Sequence, residues 1–212
     1  MQLKHYSLLF SIAGILILYF LSALTQPVVI ELSELSEYED KQVTVEGIVT
    51  EHYITSYESQ IIEIEGDNTT AMVFVEEKSD VEYGDKIQVT GKIQKYKGGW
   101  EIVVGNERLV TILQKWQNIS IPLWQIAENP VKYDGLNINV TGYVDAVYDA
   151  YFYLVDEEAT HSIIVFYNSF EYGSVYSGQK VDIAARFRYD PEDLRYKLDV
   201  IDETHGITLS EE

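Results

Sequence analysis

KQVTVEGIVT, the stretch from Lys41 to Thr50, returns in altered form as LNINVTGYVD, from Leu136 to Asp145. Both stretches alternate apolar and polar residues, which is typical of a strand with one buried face. Both also contain a central glycine, and a glycine inside a strand marks a bulge or a sharp bend. A long strand that bends at glycine can pair on two sides and close a small barrel. The repetition therefore predicts two barrels.

Further blocks repeat at nearly the same spacing as Gly47 and Gly142, which lie 95 positions apart. GDKIQV at residues 84–89 matches GQKVDI at 178–183, AMVF at 71–74 matches SIIV at 162–165, and WEIVV at 100–104 matches YKLDV at 196–200. A period of this length is too long for a solenoid and indicates a domain duplication. We expect an N-terminal segment at 1–26, a first barrel at 27–115 and a second at 116–212.

Each unit is expected to contain five strands, separated by glycine, asparagine and proline turn signals. The predicted strands are 41–51, 60–65, 70–75, 86–95 and 100–104, then 136–147, 151–156, 161–167, 180–189 and 195–201. Residues 109–113 are expected to complete the first unit. A short helix is expected at 121–127, and a loop or a single turn at 76–85 and 168–178.

The two units resemble OB-fold domains of the anticodon-binding and nuclease-associated type. The resemblance rests on a short lead-in followed by a glycine-bent strand, first from Leu32 to Val49 and again from Leu123 to Val144. It implies five-stranded OB-like barrels. It also implies binding of single-stranded nucleic acid.

The N-terminal run from Tyr6 to Leu24 is apolar and uncharged over nineteen residues. A helix of that length spans about 28 Å, enough for the apolar core of a bilayer. We expect a single-pass membrane anchor, with cleavage at Ser22-Ala23 as the alternative. Lys4 precedes the run and acidic residues follow it, so the positive-inside rule places the amino terminus in the cytoplasm and the body outside. Asn68 and Asn118 are candidate glycosylation sites on this topology, with Asn139 a poorer one because it lies in a predicted strand.

Composition narrows the function classes. The chain carries a formal net charge of -20, which repels phosphate backbones at long range, and it has no cysteine for a disulfide or a thiolate metal site. Its acidic clusters lack the spacing of a calcium-binding loop, and the common catalytic and phosphate-loop motifs are absent. We therefore expect no catalytic residues, no metal and no cofactor.

Two groups of side chains are candidate binding residues, because the turns between strands one and two and between strands four and five grip ligands in OB-folds. The hairpins of strands four and five supply Lys92, Lys95, Tyr96, Lys97, Trp100, Arg186, Arg188, Tyr189, Arg195 and Tyr196. The loops between strands one and two supply His52, Tyr53, Tyr57, Tyr148 and Tyr151. Aromatic rings can stack on bases or sugars, and basic groups attract anions. The structural alternative is that lysines protect exposed strand edges and tyrosines line a barrel wall.

The sequence thus predicts a membrane-anchored binding or scaffold protein outside the cytoplasm, without enzymatic activity. Its expected partners are the membrane, through the N-terminal helix, and a protein in an envelope complex. The alternative is binding of single-stranded nucleic acid or an anionic oligosaccharide through the hairpins of strands four and five.

Overall fold

A computed structural model of the chain describes residues 11–19, 27–167 and 175–210. Outside residues 11–19 the described chain consists mainly of β-strands and loops, with a few short helices. The strands are β1 (Val28–Val29), β2 (Gln42–Ile54), β3 (Gln60–Gly66), β4 (Thr69–Val75), β5 (Lys86–Tyr96), β6 (Gly99–Val104), β7 (Val110–Gln114), β8 (Asn137–Val147), β9 (Tyr151–Val155), β10 (Ser162–Phe166), β11 (Lys180–Asp190), β12 (Arg195–Asp199) and β13 (Gly206–Leu209).

Five strands close on themselves in each half of the molecule. The first barrel runs β2-β3-β4-β6-β5 and closes through the pairing of β2 with β5. The second runs β8-β9-β10-β12-β11 and closes through β8 and β11. In both, strands three and five are the parallel pair, β4 with β6 and β10 with β12. This is OB-fold topology, so the prediction of two five-stranded barrels is confirmed.

Three additional strands extend these barrels. β1 pairs in parallel with the start of β2, and β7 pairs with β5, which is where residues 109–113 were expected to complete the first unit. β13 pairs with β11 in the equivalent position on the second barrel. Each of the three is short and covers part of a strand edge that would otherwise be open.

The two strand glycines occupy places where the barrel wall has no room for a side chain. A Cβ atom at Gly47 would lie 2.9 Å from Cβ of Ile64, and one at Gly142 would lie 2.7 Å from the carbonyl oxygen of Val155. The expected irregularity follows shortly after each glycine: the register shifts between Val49 and Glu51 in β2, and between Val144 and Val147 in β8.

Replacing Gly142 with alanine should destabilise the second barrel by about 2 kcal/mol, because the added methyl group overlaps backbone that cannot withdraw easily. The expected readout is a lower urea midpoint for the purified full-length chain. Gly105→Ala is the matched control, since a Cβ there would meet nothing within 4 Å. Equal midpoints for the two variants would contradict the packing role of Gly142.

Each barrel has its own apolar core, and each lead-in segment contributes to it. Residues Leu32–Tyr38 form a 3₁₀ helix that buries Leu32 and Leu35, and the helix Leu123–Glu128 buries its counterparts Leu123 and Ile126. The residue two positions before each segment makes the same backbone bond to the first barrel strand: Ile30 N–H donates to Thr44 O at 3.0 Å, and Ile121 N–H donates to Asn139 O at 2.7 Å. The duplication therefore includes the lead-in.

The linker between the barrels is fastened to a turn of the first one. Asp85 is fully buried and accepts hydrogen bonds from Lys115 Nζ at 2.9 Å, the Trp116 backbone N–H at 3.2 Å and the Glu82 backbone N–H at 2.9 Å. Trp116 is also buried, and its indole N–H donates to Glu82 at 2.6 Å. The other side of the indole meets the ring of His205 from the second barrel, edge to face at 5.8 Å. These contacts join the two units.

About half of the predicted N-terminal anchor lies outside the described residues. Residues 11–19 are helical, and most of their side chains are exposed, while 6–10 and 20–24 of the predicted span are not described. Within the described ranges, no helix has the length and apolar character needed to cross a membrane.

Candidate ligand-binding face of the second barrel

Strand pairing assembles one outward face of the second barrel from β9, β10, β12 and β11. Tyr151 lies opposite Phe166 on β10, and Tyr153 lies opposite Ile164. The rows continue across β12, since Phe166 is opposite Asp199 and Ile164 is opposite Lys197. Inward residues alternate with these, so the same strands bury Phe152, Val165 and Leu198. Residues far apart in sequence thus share one surface.

Four aromatic rings form a continuous cluster on this surface, which we call the tyrosine face: Tyr148, Tyr151, Tyr153 and Phe166. Tyr148 stacks on Tyr151 with ring centres 4.6 Å apart, and Tyr151 lies 6.0 Å from Tyr153 and 5.6 Å from Phe166. Tyr148 is 48% exposed, and the other three are half-buried. Rings that are held by one another and remain partly exposed can receive a flat ligand.

Cations border the tyrosine face, but each is matched by a carboxylate. The ion pairs are Arg188 with Asp199, Lys197 with Asp190 at 2.7 Å and Arg195 with Asp193 at 2.7 Å. Lys197 also lies 4.9 Å from the centre of the Phe166 ring.

Two pKa shifts reflect these pairs. The hydrogen bond from Lys197, helped by the backbone N–H of Glu192, lowers the pKa of Asp190. The hydrogen bond to Asp193 raises the pKa of Arg195. Asp190 and Arg195 therefore stay ionised near neutral pH.

The equivalent face of the first barrel differs in chemistry. Its corresponding positions hold Ile61, Glu63, Phe74 and Glu101, as the pairings of β3, β4 and β6 place them. Glu101 accepts a hydrogen bond from Gln94 at 2.7 Å. The two barrels thus share a fold, but only the second combines stacked tyrosines with both charges.

The candidate residues from the sequence separate into distinct groups in the structure. Tyr148 and Tyr151 join the tyrosine face, with Arg188 and Arg195 at its border. Tyr196 stacks on the buried Phe187 at 4.9 Å, and Tyr189 packs edge-on against Tyr196 at 5.2 Å. These two tyrosines therefore line the barrel wall, as the structural alternative predicted.

Arg186 and His52 lie at the junction of the barrels instead. The Arg186 guanidinium stacks 3.6 Å from the centre of the Tyr83 ring and donates to Asn137 Oδ1 at 3.3 Å. The His52 ring lies 4.6 Å from the same tyrosine. Burial, and secondarily the charge of Arg186, lowers the pKa of His52, which favours its neutral form. Arg186 and His52 therefore contact residues at the junction of the two units.

The first hairpin carries the remaining candidates. Lys92 pairs with Asp40 at 2.8 Å, whereas Lys95 lies over Trp100 at 4.8 Å and Lys97 over Tyr96 at 5.1 Å. In the loop between β2 and β3, Tyr53 and Tyr57 are 51% and 89% exposed.

The anion-tolerant groove expected in the second hairpin stays a prediction. The structure places an aspartate beside each of its outer cations, Arg188, Lys197 and Arg195. Phe166, Asp190 and Asp199 were missed as members of this face, whereas Tyr153 and Lys197 belong to the predicted loop and hairpin. The available signal was the common parity of Phe166 and Asp199 on two predicted strands.

The remaining site predictions stay predictions. Asn68 lies exposed in the turn between β3 and β4, Asn118 is exposed at the end of a 3₁₀ helix, and Asn139 donates its amide to the Gln117 carbonyl. Within residues 11–19, 27–167 and 175–210, no group of three or more acidic or histidine side chains is arranged to hold a metal ion.

Comparison with known proteins yields matches in structure and none in sequence. No protein-family model matches the sequence, and no curated protein sequence matches it significantly. Part of the structure is similar to asparaginyl-tRNA synthetase from Pyrococcus horikoshii (18% identity, TM-score 0.36, covering 49% of this chain and 26% of that one). Part is also similar to aspartyl-tRNA synthetase from Entamoeba histolytica (14% identity, TM-score 0.34, covering 41% and 22%). The matched region is thus about a quarter of either enzyme.

Proposed function

We propose that the chain is a non-enzymatic binding protein held at a membrane by its N-terminal apolar segment, with the tyrosine face as its ligand site. The observation that carries this proposal is the cluster of four partly exposed rings bordered by three ion pairs. The corresponding outer strands of an OB barrel are a ligand-binding surface, which takes oligonucleotides or oligosaccharides. The first barrel lacks the same combination and serves mainly to carry the second.

An oligosaccharide fits the chemistry of this face best. The apolar side of a sugar ring stacks on tyrosine, while its hydroxyl groups need donors and acceptors close together. Arg195 and Asp193, both well exposed, provide both within one face, and Arg188 adds a half-exposed donor. A sugar chain without negative charge also avoids the long-range repulsion of a protein with net charge -20.

Single-stranded nucleic acid is the second candidate, favoured by the fold and by the nearness of Arg188, Arg195 and Lys197 to stacking rings. Its binding would require phosphates to compete with aspartates for these cations. Titration of the full-length protein in detergent with neutral oligosaccharides and with short single-stranded DNA and RNA separates the two. Affinity for nucleic acid falls steeply with salt, whereas affinity for a neutral sugar changes little.

Tyr151→Ala should weaken binding about 10- to 100-fold, because a stacked ring contributes about 1–3 kcal/mol. Isothermal titration of the same ligands against wild type and variant measures the loss. Ile61→Ala is the matched control, since Ile61 occupies the equivalent position on the first barrel. Unchanged affinity in Tyr151→Ala, or an equal loss in Ile61→Ala, would exclude the tyrosine face as the site. Wild-type protein that binds neither ligand class would overturn the proposal itself.

We further propose that the body lies outside the cytoplasm, on the strength of the uncharged run from Tyr6 to Leu24 and the acidic residues after it. Protease added to intact cells should then digest the barrels. Protection in intact cells together with digestion after lysis would reverse this topology. Co-purification after mild detergent extraction tests the accompanying proposal of a protein partner in an envelope complex.

A further inference from the structure

The direction of β1 identifies the end of the first barrel at which the N-terminal segment arrives. β1 runs parallel to β2, with Val28 opposite Val43 and Val29 opposite Thr44. β1 therefore begins at the Gln42 end of β2, with Pro27 as the described residue before it. Val28 and Val29 are 54% and 66% exposed there.

The hairpin of β5 and β6 projects from this same end. Gln42 is opposite Lys92 on β5, and the backbone of residues 40–41 still bonds to Ile93. β5 then continues beyond the start of β2 to Tyr96 and turns through Lys97 and Gly98, both with positive φ, into β6. The turn of this hairpin consequently lies on the side of the barrel at which β1 begins.

The side chains at this end are lysines packed on aromatic rings, and we call them the lysine–aromatic tip: Lys41, Lys95, Lys97, Tyr38, Tyr96 and Trp100. Lys41 lies over Tyr38 at 5.1 Å, in addition to the Lys95 and Lys97 contacts given above. None of the three lysines forms a salt bridge with a carboxylate of the described residues, and Tyr96 is 53% exposed. The chain as a whole carries a net charge of -20.

The second hairpin shows the contrast. Its equivalent turn contains Asp190, Glu192 and Asp193, and these acids or Asp199 neutralise Arg188, Arg195 and Lys197. Two copies of one hairpin have thus acquired different surfaces. In the first hairpin Lys92 is paired with Asp40, but Lys95 and Lys97 have no carboxylate partner among the described residues.

We propose that the lysine–aromatic tip binds the headgroups of anionic lipids beside the membrane anchor; this rests on the proposed tether. Tyrosine and tryptophan favour the headgroup level of a bilayer, and each lysine near an anionic surface adds attraction. The acidic remainder of the chain is repelled by the same surface. Attraction at one end and repulsion elsewhere would orient the first barrel on the lipid and hold the second one away from it.

A single cysteine introduced into this cysteine-free chain can report the contact. Gly99→Cys places a fluorophore at the tip, where a Cβ has no neighbour closer than 3.8 Å, and Leu194→Cys places one at the equivalent turn of the second hairpin. The full-length chain is reconstituted into phosphatidylcholine vesicles, with or without phosphatidylglycerol, that contain a lipid spin-labelled at its headgroup. Quenching at position 99 should require phosphatidylglycerol and decline at high salt, and position 194 should remain unquenched.

Neutralising two lysines provides the decisive variant. Lys95→Gln with Lys97→Gln should weaken the contact about thirtyfold and reduce quenching at position 99 to the level at 194, while the protein still floats with the vesicles. Lys132→Gln with Lys180→Gln removes the same charge elsewhere and should leave quenching intact.

The outcomes distinguish the contact from the tether. A protein that floats while position 99 stays unquenched, or is quenched equally without phosphatidylglycerol, overturns the tip contact alone. Wild-type protein that fails to float overturns the tether and this contact with it.

Discussion

Lys115→Met should lower the free energy of unfolding by about 3 kcal/mol, because it leaves the buried carboxylate of Asp85 without its positive partner. Methionine retains most of the side-chain volume, so the change tests charge rather than packing. Two backbone N–H groups still bond to Asp85, but hydrogen bonds alone do not replace a cation at 2.9 Å in a buried site. Urea unfolding of the full-length protein, followed by circular dichroism, measures the loss.

Lys86→Met is the control for this first prediction. Lys86 forms a salt bridge to Glu46 of the same length, 2.9 Å, but both side chains are well exposed. Exposed pairs contribute about 0–1 kcal/mol, so this variant should unfold close to wild type. If Lys86→Met costs as much as Lys115→Met, burial of Asp85 does not set the energy of the junction.

Trp116→Ala should cost about 4 kcal/mol, since it removes a large buried side chain from between the two barrels. The indole is 2% exposed, packs on His205 and donates to Glu82, and alanine replaces none of these contacts. The same urea titration gives the cost, and fluorescence energy transfer between labels on the two barrels shows whether their arrangement changes.

Two further tryptophan variants separate the contributions of packing, hydrogen bonding and burial to this loss. Trp116→Phe keeps most of the packing but loses the hydrogen bond to Glu82. It should therefore lower the free energy of unfolding by about 1 kcal/mol in addition to the loss from the smaller ring. Trp124→Ala removes a side chain that is 48% exposed and should have a small effect. A large loss in Trp124→Ala with none in Trp116→Ala would refute the role of Trp116.

The strands were predictable because their signals are local. Alternation with a period of two, bounded by glycine and proline turns, placed β2 and β11 to within a few residues. Gly47 and Gly142 indicated two closed barrels, because a first strand that bends at glycine is needed in few other architectures and this one occurs twice. β13 escaped prediction, since four half-exposed residues from Gly206 to Leu209 carry too little periodicity to distinguish a strand from a loop.

The candidate site was less predictable because it depends on register between distant strands. Parity correctly placed Arg188 outward, but nothing in the sequence around it indicates that Asp199 lies beside it. That pairing depends on how β11 and β12 align, which the turn between them determines. The contacts of Asp85 with the linker could not be predicted either, because its turn resembles the equivalent turn at Gln179 in sequence.

Gln179, the counterpart of Asp85 in the second unit, determines the order in which the two units can be joined. In the second unit, Gln179 accepts the backbone N–H of Tyr176 at 2.9 Å, just as Asp85 accepts that of Glu82, but an amide carries no charge. If a third unit followed the second through the same linker, the linker lysine would meet the neutral Gln179 and could not form the salt bridge that Lys115 forms with Asp85. Exchanging the two units would leave the Asp85 carboxylate without Lys115 and would place the linker lysine beside the uncharged Gln179. The salt bridge therefore depends on the order of the two units in the chain.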